Sequence, residues 1–167
     1  MRIFGISGLG ADKRVFKYLT LDYELISVDW IKPKPKETII EYSKRLINEY
    51  EIGKTSEFGI LGVSFGGLIA TEISKLTNPK FTILISSVEN RNELSGIIKL
   101  VGKSKLIELI PEKLLNPPKA IAHFMFGTEK KELLNSILDD TDLNFTKWAI
   151  RELMNWKNQT ELPNLIK

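Results

Sequence analysis

The sequence predicts an α/β fold, a mainly parallel sheet with helices on both faces followed by a helical cap. Three observations carry that prediction. Through residue 90, apolar runs of five or six residues alternate with stretches whose apolar side chains recur every three or four positions, the order of strands joined by right-handed helical crossovers. A glycine-flanked serine stands at one of the run-to-stretch junctions. Beyond residue 90 helical patterns follow one another, and no strand-like run returns until the last few residues. Residues 1–90 are therefore expected to form the core, residues 91–160 a cap inserted in the same domain, and residues 161–167 the start of a further core strand.

The first strand covers residues 2–7 and closes in the turn Gly8-Leu9-Gly10-Ala11-Asp12. Val15, Phe16 and Leu19 then fall at helical spacing, with Asp12 placed to accept hydrogen bonds from the free N–H groups of a first turn. Residues 23–28 form the second strand, and Pro33 and Pro35 mark the loop after it. Ile39, Ile40, Leu46, Ile47 and Tyr50 make one helical stripe, which Gly53 ends. The third strand, residues 58–63, runs directly into Ser64-Phe65-Gly66-Gly67 and a helix carrying Leu68, Ile69, Ile73 and Leu76, stopped by Asn78-Pro79. Residues 81–85 are the fourth strand, ending in Ser86-Ser87. The helical segments expected after that are 91–101, 105–109, 119–126, 129–138 and 143–156, the last capped by Asp142 or Asn144, with Trp148 and Trp156 on one face as core anchors. Residues 162–167 open another strand, so the chain is expected to stop inside its sheet and leave an unpaired edge beside the fourth strand.

Composition narrows the chemistry. Hydrophobic residues are 43% and charged residues 27% of the 167, ordinary globular usage, which removes collagen-like, disordered and membrane classes. The chain holds 24 Lys and Arg against 21 Asp and Glu, a net charge of +3, and the excess is scattered apart from Lys32, Lys34 and Lys36, which alternate with Pro33 and Pro35. That run reads as a solvated loop, and no nucleic-acid partner is expected. With no cysteine, disulfides, thiol catalysis and cysteine-ligated metals are excluded, and the single histidine, His123, makes a histidine-rich metal site impossible. No cofactor or metal is expected. Strand-like sequence from the second residue leaves no space for a signal peptide, which implies a cytoplasmic location, and no apolar run reaches the ~18 residues of a membrane span.

Gly62-Val63-Ser64-Phe65-Gly66 fits Gly-x-Ser-x-Gly between a strand and an amphipathic helix. The spacing has a mechanical reason. A sharp strand-to-helix turn strains the serine backbone, and the glycines at 62, 66 and 67 let the chain pass its neighbours. The hydroxyl is left exposed above the sheet, while the N-terminal end of the helix offers unpaired N–H groups to negative charge developing on a carbonyl oxygen.

With this motif in that context, the chain resembles the α/β-hydrolase superfamily along its whole length. By that resemblance Ser64 is the nucleophile, the backbone N–H groups of Leu9 and Phe65 form the oxyanion hole, Gly62, Gly66 and Gly67 are the elbow glycines, and the cap lies where many members insert one. Members often carry histidine before the glycine of the oxyanion loop, where this chain has Ser7. The resemblance implies acyl chemistry on a small carboxylic ester or related acyl substrate, through an acyl-enzyme that water releases.

The rest of the triad is the difficulty. The fold's order is serine, acid, histidine, and the last two lie on loops after later strands, which here would fall beyond Lys167. Within the chain the formal substitutes are Glu89 and His123, but His123 stands in the apolar stretch Ala120-Ile121-Ala122-His123-Phe124-Met125-Phe126 and reads as a packed or pocket-lining residue. The chain is therefore expected to be a truncated hydrolase with very low activity by itself.

Two other classes compete. A non-catalytic relative would use the space between sheet and cap to bind a small apolar molecule. A dinucleotide-binding domain would explain Gly8-x-Gly10 and Asp29 about 20 residues on, but Lys13 replaces the third glycine. Gly96 to Ser104 has one residue too many for a phosphate loop, and Asp139-Asp140-Thr141-Asp142 reads as helix capping rather than a calcium loop. Sequence leaves the oligomeric state open.

Overall fold

Five strands, β1 (Arg2–Ile6), β2 (Glu24–Val28), β3 (Phe58–Val63), β4 (Phe81–Ile85) and β5 (Leu165–Ile166), lie parallel in the order β2-β1-β3-β4-β5. This computed structural model describes residues 1–54, 57–93 and 130–167. Four helices are described, α1 (Ile39–Glu49), α2 (Phe65–Thr77), α3 (Lys131–Asp139) and α4 (Leu143–Asn155). Of the expected cap, residues 94–129 lie outside the described residues, and with them His123, the phosphate-loop-like stretch and the helical segments at 105–109 and 119–126.

The strand order decides which face each connection covers. The chain steps outward from β1 to β2, then reverses to β3 and continues to β4, so right-handed crossovers put α1 and α2 on one face and the β1-to-β2 connection on the other. Strand alternation supplies both faces. Phe4, Ile6, Phe58 and Ile60 pack under Tyr42 and Leu46 of α1 and Ile69 and Ile73 of α2, while Ile3 and Leu61 point the other way onto Phe16. The connection from β4 to β5 runs in the same sense as the two before it, and Phe145, Trp148 and Ala149 of its helix α4 join that first face. The last helix of the segment read as a cap thus packs into the main core.

Trp148 and Trp156 are buried there, and each indole N–H finds an acceptor, the Glu37 carbonyl at 2.8 Å and the Glu72 carboxylate at 2.8 Å. Helix α1 starts in a capping box. Thr38 Oγ1 accepts from the Glu41 N–H at 3.3 Å, and the Glu41 carboxylate accepts from the Thr38 N–H at 2.9 Å. The next free N–H, of Ile39, donates to the buried Glu152 carboxylate of α4 at 2.9 Å. Asp142, rather than Asn144, caps α4, accepting from the Asn144 and Phe145 N–H groups.

Two expectations need correction. The helix after the first glycine turn is a single 3-10 turn, Lys13–Phe16, capped by Asp12. Only Phe16 has a core to enter, whereas Val15 and Leu19 are 37% and 39% exposed, so the apolar spacing has no stripe to bury. The edge beside β4 is not bare, because β5 pairs with it at Thr82 and Ile83. Elsewhere β3 and β4 have the expected bounds, and Asn78 ends α2 in the left-handed conformation, a helix stop that its short polar side chain tolerates. Among the described residues no helix is long and apolar enough to cross a membrane.

Candidate active site

The reversal of strand order falls between β1 and β3, and in open α/β sheets the crevice beyond the carboxyl ends at such a point is where ligands bind. Here that crevice brings together the loop after β1 and the turn after β3. Ser64 is the turn. Its backbone stands at φ 52°, ψ −121°, a strained conformation for a residue with a side chain, and three hydrogen bonds hold it there. The Ser64 N–H donates to the Ile85 carbonyl at 2.9 Å, and the Ser64 carbonyl accepts from the Gly67 N–H at 2.9 Å and the Ser87 hydroxyl at 2.7 Å. The side chain makes no capping bond to its own helix, and Ser64 is exposed while Phe65 to Ser74 behind it are buried.

The three elbow glycines are sterically required. A Cβ at Gly62 would lie 2.6 Å from the Gly67 Cα and 2.7 Å from the Ala70 Cβ. One at Gly66 would overlap the Ser7 carbonyl oxygen and sit 2.5 Å from that of Ile6, and one at Gly67 would overlap the Ser87 side chain. Strand β1, strand β3 and helix α2 are therefore in backbone contact at the elbow. Phe65 begins α2, so its N–H is one of the four that no helical carbonyl can satisfy.

The loop after β1 is tied in place from three sides. The buried Ser7 hydroxyl donates to the Ala11 carbonyl at 2.9 Å, the Trp30 indole donates to the same carbonyl at 2.9 Å, and Thr141 Oγ1 donates to the Gly10 carbonyl at 2.9 Å. Gly10 has φ 71°, which a residue with a Cβ adopts only under strain. Gly8 lies beside the elbow, with the place of its missing Cβ 3.4 Å from the Ser64 Cβ and 4.0 Å from the Ser64 Oγ. Leu9, the next residue, is half-buried and packs against the main core. The departure at Ser7 thus has a structural use, since its hydroxyl closes the loop.

At the end of the loop, the Arg14 guanidinium bridges the Asp12 and Asp140 carboxylates, and it holds the Asp12 carboxyl below its ordinary range. A cleft of about 340 Å³ opens beside this loop between Gly10–Asp12, Asp29–Lys32 and the α3-to-α4 turn; Ser64 is not among its lining residues. Glu89, the acid paired formally with Ser64 in the sequence, is engaged elsewhere. Its carboxylate accepts from the Leu162 N–H at 2.5 Å and meets the Lys167 ammonium at 3.3 Å, fastening the segment that leads into β5. The dinucleotide reading loses its main support, because the glycine turn leads into one 3-10 turn and no helix N-terminus is there to face a pyrophosphate.

No family model and no curated protein matches the chain. Solved structures do match it. RedJ, a thioesterase from the prodiginine biosynthetic pathway of Streptomyces coelicolor, is 13% identical with a TM-score of 0.64, over 96% of this chain and 65% of its own. MenH from S. aureus is 15% identical with a TM-score of 0.63, over 91% and 65%. A lipase-esterase related protein from Clostridium acetobutylicum is 17% identical with a TM-score of 0.59, over 92% and 64%. The chain has the α/β-hydrolase fold. It spans about two thirds of the length of these α/β-hydrolase structures. Within the hydrolase fold, sequence reasoning missed Ser87 as the clamp on the Ser64 carbonyl and Trp30 and Thr141 as the ties on the glycine loop. Only Ser87 left a trace in the sequence, as a second small hydroxyl residue at the end of the strand beside the elbow.

Proposed function

We propose that this protein is a serine hydrolase acting on a carboxylic ester or related acyl substrate, with Ser64 as nucleophile and the Phe65 and Leu9 N–H groups as oxyanion donors. The observation that carries the reading is Ser64 itself: an exposed hydroxyl on a backbone at φ 52°, at the N-terminus of α2, beside the glycine loop. A fold holds that strain when the conformation is needed to present the side chain. Ser64 Oγ adds to the carbonyl carbon as a general base takes its proton, the carbonyl oxygen takes the developing charge opposite the two N–H groups, the proton passes to the departing alcohol or thiol, and water, giving up a proton in turn, releases the acid and restores the Ser64 hydroxyl.

The same reading holds that the 167 residues by themselves lack an assigned general base, so their turnover of a simple activated ester stays near the uncatalysed rate. The test is fluorophosphonate labelling of the protein as its native host makes it. Label is expected on Ser64 and is lost in Ser64→Ala; an unlabelled Ser64 in a folded protein would overturn the assignment. The cleft beside the glycine loop is lined without Ser64, and that observation favours a second reading, a hydrolase-like domain that binds a small molecule without reacting. It requires Ser64 to stay unlabelled.

A further inference from the structure

The lysine–proline run is an exposed loop, as its sequence implies, and it borders a cleft. Lys32, Lys34 and Lys36 form one wall of a cleft of about 380 Å³, and Lys147 and Arg151 of α4 form the wall opposite, with Trp148 between them. No aspartate or glutamate lines this cleft. Arg151 is partly balanced by Glu152, at 3.0 Å, and its guanidinium also donates to the Glu37 carbonyl at 3.1 Å. None of the four lysines has an ion-pair partner among the described residues.

The run is held in place. The Lys34 N–H donates to the Glu37 carboxylate at 2.7 Å, Arg45 donates to the Lys32 carbonyl at 3.3 Å, and the two prolines fix their own φ. Glu37 is buried and paired with Arg45 at 2.7 Å, so its charge is already met from behind the loop. Four lysines without an ion-pair partner among the described residues, and Arg151 with one, therefore line one concavity. Like charges so arranged repel one another, and a concave surface of one sign focuses its potential onto whatever enters.

We propose that this cleft binds a small ligand through a phosphate or diphosphate group. Its volume is in the range of small-molecule sites. A nucleic-acid strand would need the basic surface to continue beyond the cleft, whereas the other 19 cationic residues are interspersed along the chain with 21 anionic ones. The lysines supply point charges that suit a compact anion, and the Asn144 amide and Arg151 add directional donors on the same wall. Trp148 packs with its ring centroid 6.1 Å from that of Phe65, the residue after Ser64, so one aromatic layer separates this cleft from the elbow. The inference does not depend on Ser64 being reactive.

The experiment is calorimetric titration of the 167-residue chain with inorganic pyrophosphate at low salt. Saturable one-site binding is expected, weakened about tenfold or more in Lys34→Gln/Lys147→Gln and unchanged in Lys157→Gln, an exposed lysine outside the cleft. Pyrophosphate should also protect Lys34 and Lys147 of the unsubstituted chain from acetylation, read by mass spectrometry. Absence of saturable binding, equal weakening by Lys157→Gln, or tighter binding of a single-stranded oligonucleotide than of pyrophosphate would each overturn the proposal.

Discussion

Gly66 lies directly against the backbone of Ser7, so the turn that exposes Ser64 is built on contact between α2 and the end of β1. The overlapped atom there is a carbonyl oxygen, which has no rotamer to escape into. Gly66→Ala should destabilise the fold by about 2–3 kcal/mol, the upper part of the range for overpacking. Gly8→Ala makes a useful contrast, since its nearest neighbour would be 3.4 Å away. Denaturant unfolding should show a large loss for the first and a small one for the second, while Gly8→Ala slows labelling of Ser64 by crowding its hydroxyl.

Strain at Ser64 has a thermodynamic signature. Glycine tolerates φ 52° without a Cβ penalty, so Ser64→Gly should raise unfolding free energy by about 1 kcal/mol while removing all reaction with a fluorophosphonate. Gain of stability together with loss of labelling is the expected pair. A destabilised Ser64→Gly would mean that the turn is not strained.

Helices α1 and α4 share one junction. Removing the Glu152 carboxylate leaves the Ile39 N–H without its acceptor in a buried setting, and Glu152→Ala should cost about 1–3 kcal/mol. Thr38→Ala removes half of the capping box and should cost about 1 kcal/mol. Equal small losses from both would show that water replaces Glu152 at the helix end.

Stability should fall at alkaline pH through Tyr42. Its hydroxyl donates to the Ile31 carbonyl at 2.8 Å and accepts the Ile31 N–H at 2.9 Å, and burial pushes its pKa above the ordinary 10.0. The raised value means that the folded state keeps the proton where the unfolded state has lost it. That contribution is complete below the unfolded pKa and is lost as pH rises toward the folded one. Tyr50 shifts in the same direction for the same cause. Urea unfolding at about pH 9 and about pH 11 should show a decline that Tyr42→Phe reduces and does not abolish.

The strands and the elbow were legible because their signals are local. Phe58 to Val63 is a continuous apolar run that leads directly into Ser64, and the turn there has a spacing that sterics dictate. The segment after Gly10 misled because Val15 and Leu19 have helical spacing but no surface to cover, and spacing alone does not report what lies opposite. Lys32 to Lys36 form the solvated loop their sequence implies, but the cleft that they border was not legible. Their partners in the cleft, Lys147 and Arg151, are more than a hundred residues away, and only the β4-to-β5 crossover brings them together. The ties on the glycine loop, from Trp30 and Thr141, likewise come from remote positions.

The hydrogen bond from the Ile39 N–H to Glu152 joins residues 113 positions apart. On a ribosome adding roughly 5–20 residues each second, the start of α1 would wait on the order of ten seconds for its acceptor. During that interval Tyr42, Phe65 and the rest of the surface that α4 later covers face solvent or a chaperone. The nascent sheet therefore carries a transient greasy flank, and the yield of folded protein should depend more on holdase supply during synthesis than on the stability of the finished molecule.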